Sequence, residues 1–288
     1  AYLNNANGED DVKSGNELAT LYGIQIVPPR FGISKDKYLF NKAEQVIAKG
    51  ISSVKFLNRD VANELYALAE AGKPETFMDL LMAMSEKTHL DTRQRDILIK
   101  IDYFAEYGNS KELLRMVEFF TFFKNGTMKK IAKDKLNPEL EAIVAQHATD
   151  VAKGGAQAKS YTFTDMPGLL HHCEQLVREM NIPDFDLKIK MQTQLENLGY
   201  IDLTTNKPED RRKLIVMDVF PLKSKKDNSI WGYAIQTRSI GSGKTSRLTL
   251  RSRIYDKKPI KRFDVIFASD VQKERSGYWY LIGYDYVI

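Results

Sequence analysis

The sequence predicts an α+β chain, mostly helical over its N-terminal two-thirds and closed by a small five-stranded β-barrel. Three observations predict it. Between Gly50 and Glu118, apolar residues recur at helical spacing and are interrupted by short polar breaks. From Leu214 onward the pattern changes to five β-rich runs separated by turn residues. Charge changes at the same place: residues 211–288 hold 17 Lys/Arg against 7 Asp/Glu, whereas residues 1–210 hold 26 against 31. Segregation of this kind points to a basic C-terminal domain that meets a polyanion.

Taken in order, Asn16–Tyr22 reads as a helix ended by Gly23, and Ile24–Val27 as a short strand. Pro28 and Pro29 then force extended chain, and Ser34–Phe40 is a connection with some strand character. Two hairpin-like units follow, Val46–Leu68 and Thr92–Val117, on either side of a middle helix, Phe77–Met84. Each unit reads as a helix, a polar break and a second helix. The first break is Phe56-Leu57-Asn58-Arg59, after which Val61, Ala62, Leu65, Leu68 and Ala69 mark one buried face. The second is Tyr107-Gly108-Asn109-Ser110, with Asn109 and Ser110 as N-cap residues and Glu112 in the first turn.

A helix start offers free backbone N–H groups to an anion. Two such starts suit two phosphates of a nucleic-acid backbone. The candidate contacts are Lys55, Asn58 and Arg59 at the first tip, and Asn109, Ser110 and Lys111 at the second.

Beyond the hairpins, Phe119, Phe120, Phe122 and Phe123 are too dense to be all exposed and predict a helix end docked on the core. Helices are expected at Pro138–Val151, Met166–Met180 and Leu187–Leu198, with a flexible linker at Lys153–Ala158. The β-rich runs are LIVMDVFPL, WGYAIQTRSI, SRLTLRSRIYD, DVIFASDVQKE and YWYLIGYDYVI. Five strands with basic, aromatic faces suit an OB-fold, a common carrier of single-stranded nucleic acid. The predicted contacts are the cations Arg238, Lys244, Arg247, Arg251 and Arg253, with Trp231 and Tyr233 as a stacking face. Trp279 and Tyr278 supply further aromatic surface, part of which the barrel interior must take.

Several segments carry a resemblance in the same order along nearly the whole chain. They are LYGIQIVPPRF, KGISSVKFLNRDVANEL, ETFMDLL, TRQRDILIKIDYFAEYGNSKELL and LENLGYIDLTT. Together they resemble the tandem helix-hairpin-helix and OB region of the bacterial replicative DNA polymerase III alpha subunits, the C-family polymerases. The resemblance implies the end of a fingers domain over 1–40, a DNA-binding hairpin domain over 41–120, a helical linker over 121–210 and an OB domain over 211–288. It also implies double-stranded template-primer DNA and single-stranded DNA as partners, with a sliding clamp and clamp loader as further ones. Two positions depart from the pattern: Asn58 stands for the first hairpin's glycine and Asp102 for a small residue in the second. Asparagine tolerates left-handed backbone; Asp102 would repel a phosphate. Nothing matches the catalytic palm, so the Mg2+ implied for the parent polymerase has no counterpart here. No cofactor is expected in this chain, which is expected to be inactive alone.

Other chemistries are poorly supported. Ile240–Thr245 looks like a phosphate loop, but the required first glycine is Arg238 and the following residues are strand-like. His171, His172 and Cys173 are adjacent on a helix and diverge by about 100° each. His147 and His89 have no paired spacing with them, and Glu9, Asp10 and Asp11 sit in a polar stretch with no strand to hold them. The single cysteine and the lack of a long apolar run predict a cytoplasmic chain with no membrane partner, and the polar start without Met predicts a fragment or a processed chain.

Overall fold

A computed structural model describes residues 3–5, 15, 18–19, 21–42, 45–149, 159–201, 203–205, 207–275 and 277–287. The predicted Lys153–Ala158 linker, the Glu9–Asp11 carboxylates and part of the Asn16–Tyr22 helix lie outside them. The fold is α+β, in two units, Ala1–Tyr200 and Ile201–Ile288. The barrel unit thus begins earlier than the predicted 211, because Thr205 N–H already bonds the Ile240 carbonyl (2.9 Å).

In the first unit, β1 (Gln25–Val27), β2 (Leu39–Asn41) and β3 (Val46–Ala48) form a sheet in the order β1-β3-β2, with β1 parallel to β3. Here the first hairpin unit departs from expectation. Its leading element is strand β3 and a 3-10 turn, Ile51–Ser53, and not a helix. The run is too short and too β-branched to sustain helical turns. The second element is as predicted: α1 (Arg59–Glu70) buries Val61, Ala62, Leu65 and Leu68, and its N-cap Asn58 accepts from Val61 N–H. Asn58 is extended (φ −118°), so the left-handed residue of this turn is not Asn58 but Phe56 (φ 68°).

The middle helix is α2 (Phe77–Lys87), capped by Thr76. The second unit is a true helix–turn–helix, α3 (Thr92–Lys100) and α4 (Ser110–Phe122). Both helices open on reciprocal capping boxes, Asp91 with Gln94 and Asn109 with Glu112. Between them Asp102 takes the left-handed conformation (φ 65°) in place of a small residue. Phe31, Phe77, Tyr103, Phe104 and Tyr107 bind these elements into one aromatic cluster, with neighbouring ring centroids 4.9–6.2 Å apart. At the end of α4, Phe120 and Phe123 are buried, while Phe122 stays exposed.

The remaining first-unit elements are β4 (Lys130–Ala132), α5 (Pro138–Val144), β5 (Ala148–Thr149), β6 (Ser160–Phe163), α6 (Met166–Glu179) and α7 (Leu187–Leu198). Strands β4, β6 and β5 make a small antiparallel sheet, so the helix predicted through Val151 stops at Val144. Helix α6 holds α2 through Glu174, a buried carboxylate that accepts from Met78 N–H (2.9 Å) and Phe77 N–H (3.4 Å) and pairs with Arg178 (2.6 Å). A carboxylate at a helix N-terminus satisfies otherwise unpaired donors and complements the helix dipole.

The second unit contains β7 (Lys213–Lys223), β8 (Ile230–Ser239), β9 (Thr245–Arg251), the short helix α8 (Ser252–Tyr255), β10 (Val265–Lys273) and β11 (Trp279–Tyr286). The strands close in the order β7-β8-β9-β11-β10. Every pairing is antiparallel except β9 with β11, which meet in parallel at Thr249 and Tyr280. This is an OB-like five-stranded barrel. Leu214, Val216, Ile235, Leu248, Leu250, Ile266 and Leu281 fill its interior.

Candidate nucleic-acid interface

The outer face of the barrel follows from strand alternation. On β9, Leu248 and Leu250 point into the core, so Arg247, Thr249 and Arg251 face outward. Their cross-strand partners on β8 are Gln236, Ala234 and Gly232. The two small residues leave a hollow where larger ones would stand. A cavity of about 320 Å³ opens there, lined by Trp231, Ala234, Arg247, Thr249, Tyr278 and Trp279 among others. Trp231 would alternate to the other face, but the β7–β8 register slips beside it, pairing Leu222 with Gly232 and Lys223 with Ile230. Such a bulge re-aims one side chain. Trp231 lines this outer cavity and is 44% exposed.

A second groove, about 390 Å³, is lined by Arg211, Arg212, Ser246, Ser269, Asp270 and Trp279 among others. Trp279 therefore lines both hollows, with Arg247 on one and Arg211 and Arg212 on the other. Lys273 lies 5.8 Å from the Trp279 ring, within cation–π range. A ring flanked by two hollows, each with cations, can stack on nucleobases while phosphates meet the guanidinium groups.

The other predicted barrel residues divide. Tyr233 is half-buried and stacks on Tyr255 of α8 (centroids 3.7 Å apart, 21° between planes), so it serves packing and not the open face. Arg251 is paired with Glu274 and lies over the Tyr280 ring. Arg253 is exposed on α8, because the third β run ends at Arg251. Lys244 is exposed in the β8–β9 turn, and Arg238 is half-buried beneath it, near Gly243. That turn is no phosphate loop: Ser239 N–H bonds the Lys244 carbonyl (2.9 Å) and strand β9 follows. Gly241 is required there, since a Cβ would come within 2.4 Å of the Arg211 nitrogen and the Lys207 carbonyl.

On the first unit, Lys55, Asn58 and Arg59 are exposed together at the start of α1. Arg59 makes a long ion pair with Asp36 (3.5 Å) and keeps 78% of its side chain exposed. The backbone is not aimed outward at Lys55, whose N–H donates to the Asn197 carbonyl (2.9 Å). The second tip is covered. Ser110 is buried, and its hydroxyl donates to the Ile99 carbonyl and meets Asp102 (both 2.9 Å). Asn109 Nδ2 donates to the Ile182 carbonyl (2.9 Å), and Lys111 lies near the Phe185 ring. Asp102 is neutralised by Lys190 at 2.9 Å, and Asp184 also pairs with Lys190. Burial pulls the Lys190 ammonium down, but the two carboxylates outweigh it and hold its pKa above the usual lysine value.

Among the described residues, no group of three or more His, Cys, Asp or Glu could hold a metal ion. His171 turns to Asp79 (2.7 Å) and His172 to His147 (3.3 Å), in different directions as the helical spacing requires. Cys173 is buried, which pushes its thiol up to about 12. No described helix is long and apolar enough to cross a membrane. Sequence reasoning passed over Phe56, Arg93, Arg211 and Arg212. The signal for the barrel hollow was legible in Gly232 and Ala234, two small residues at alternate positions of one strand. No family model matches the chain, and no curated protein matches it.

Proposed function

We propose that the chain is the DNA-binding C-terminal region of a replicative DNA polymerase similar to the polymerase III alpha subunits, and that it grips template-primer DNA. The observation that carries this reading is the outer face of the OB-like barrel, where Trp279 divides two hollows lined by Arg247, Arg211 and Arg212. The ordered motif resemblance supports it. In this reading the barrel holds single-stranded DNA by stacking and phosphate pairing. The exposed Lys55 and Arg59 meet duplex phosphates, which position the protein without reading sequence. The carboxylates and Mg2+ of nucleotide transfer belong to the palm of the parent enzyme.

The test is DNA binding across salt. Affinity should fall by orders of magnitude between about 50 and 200 mM salt, as counterions are released from several phosphates. Lys55→Ala with Arg59→Ala should weaken duplex binding equally on all sequences and flatten the slope by about one unit per lost contact. Absence of binding at low salt overturns the reading. A second reading, a contact module for a clamp or clamp loader, is favoured by one feature. Leu18, Tyr22 and Phe40 line an apolar cleft of about 200 Å³, and Leu21 and Tyr22 are 80% and 72% exposed. Binding to a protein partner that survives high salt would favour it.

A further inference from the structure

Phe56 combines a left-handed backbone and an exposed ring with a backbone held by hydrogen bonds on either side. Its backbone is left-handed (φ 68°), which disfavours every side chain except glycine and, less so, asparagine and aspartate. Its ring is 49% exposed. Its position is nevertheless rigidly defined. The Phe56 carbonyl accepts from Gln94 Nε2 (2.8 Å), the preceding Lys55 N–H donates to the Asn197 carbonyl, and the following Leu57 N–H to the Val54 carbonyl (3.1 Å). Strain of this kind persists only where the surroundings over-determine it.

The Arg93 guanidinium, itself exposed, lies 3.5 Å from the Phe56 ring centroid. That contact stacks a planar cation on the ring and orients it, while about half the residue's surface remains open. Lys55 and Arg59 stand on either side in the chain, both exposed. Asp36 and Asp60 offset part of this charge, so the tip's distinguishing feature is its apolar ring among cations and not its net charge. A ring with cations around it and an open surface matches one ligand chemistry well: an unpaired nucleobase with its adjoining phosphates.

We propose that Phe56 is a nucleobase-stacking contact that takes the first unpaired base where a single strand leaves a duplex, with Arg93 backing the ring and Lys55 and Arg59 meeting the flanking phosphates. This rests on the nucleic-acid reading above. It differs from a backbone-amide hairpin contact, because the side chain of the turn and not its N–H groups carries the interaction.

Phe56→Gly in the full chain separates the ring's two possible roles by sign. Glycine accepts the left-handed backbone, so the variant should melt no lower than the wild type. Its affinity for a primer–template oligonucleotide should fall about tenfold. With 2-aminopurine at the first unpaired template position, the wild type should change the probe's emission on binding; Phe56→Gly should abolish that change and Phe56→Tyr should keep it. Unchanged affinity and emission in Phe56→Gly overturn the proposal and leave the nucleic-acid reading intact. A lowered melting temperature together with lost binding also overturns it, by showing that the ring packs the turn. A wild-type chain that binds no oligonucleotide at low salt overturns both.

Discussion

At the first hairpin unit, Lys55, Phe56, Asn58 and Arg59 stand in solvent at the start of α1. At the second, the residues around the start of α4 are turned inward: Ser110 is buried against Ile99, Asn109 reaches the Ile182 carbonyl, and Asp102 is tied to Lys190. Local sequence does not separate the two, since each helix opens on an asparagine cap. What separates them is chain further on. The residues from Ile182 to Lys190 lie over the second tip, whereas at the first Lys55, Phe56, Asn58 and Arg59 stay exposed. A helix N-terminus is therefore an anion site only where the rest of the fold leaves it open.

The largest expected effect breaks the cover of the second tip. Lys190→Met leaves Asp102 and Asp184 without their shared cation, both largely buried. Removing one partner of a fully buried pair costs about 3–5 kcal/mol, and the partial exposure of these carboxylates reduces that to roughly 2 kcal/mol. The melting temperature should fall, with duplex binding per folded molecule unchanged. The pH dependence has a defined sign. Lys190 has its pKa raised in the folded state, so its contribution is full below the ordinary lysine value near 10.5 and is lost as pH rises through the folded value. In Lys190→Met, the component of the alkaline transition due to this residue should disappear.

The barrel repeats the contrast between two residues on one strand. Trp231 and Tyr233 share a parity on β8, yet the bulge turns Trp231 to the open cavity while Tyr233 stays stacked on Tyr255. Trp231→Ala should cost about tenfold in single-strand affinity, within the roughly 1–3 kcal/mol expected for one stacked base, and leave the melt nearly unchanged. Tyr233→Ala should instead lower the melting temperature by removing a packed ring. Oligonucleotide titration and thermal melting of both variants check this; a reversal of the two outcomes would place the stacking face on the α8 side of the barrel.

Much of this architecture was legible because it is local. The buried face of α1, the Asn109 cap and the change to strands at residue 214 each rest on residues within a few positions of one another. The β4–β6–β5 sheet was not legible, since strands of two to four residues are too short to show a period. Nor was the closure of the second tip, which depends on a pairing between Asp102 and Lys190, 88 positions apart. In the site, the alternation of Arg247 and Arg251 with leucines was legible, whereas the re-aiming of Trp231 depends on a register slip with β7. Phe56 was hidden for a different reason: asparagine is the residue expected to adopt left-handed backbone, and the neighbouring Asn58 has the helix cap to make instead.

The two caps offer the most direct test of the comparison. Asn58 accepts one hydrogen bond from Val61 N–H (2.9 Å) and is otherwise exposed. Asn58→Ala should therefore cost about 1 kcal/mol, the usual value of an N-cap. Asn109 accepts from Glu112 N–H (3.0 Å), takes part in a capping box, and also donates Nδ2 to the Ile182 carbonyl (2.9 Å). Asn109→Ala loses the cap and leaves that carbonyl without this donor, adding about another 1 kcal/mol. Chemical denaturation of the two variants should give midpoints that differ in this order, with m-values unchanged. Aspartate at each position sharpens the result. Asn58→Asp keeps the cap and should restore stability. Asn109→Asp keeps the cap but cannot donate to Ile182, so it should recover only part of the loss. Equal recovery at both positions would mean that the Ile182 contact contributes nothing and that the second tip is closed by Lys190 alone.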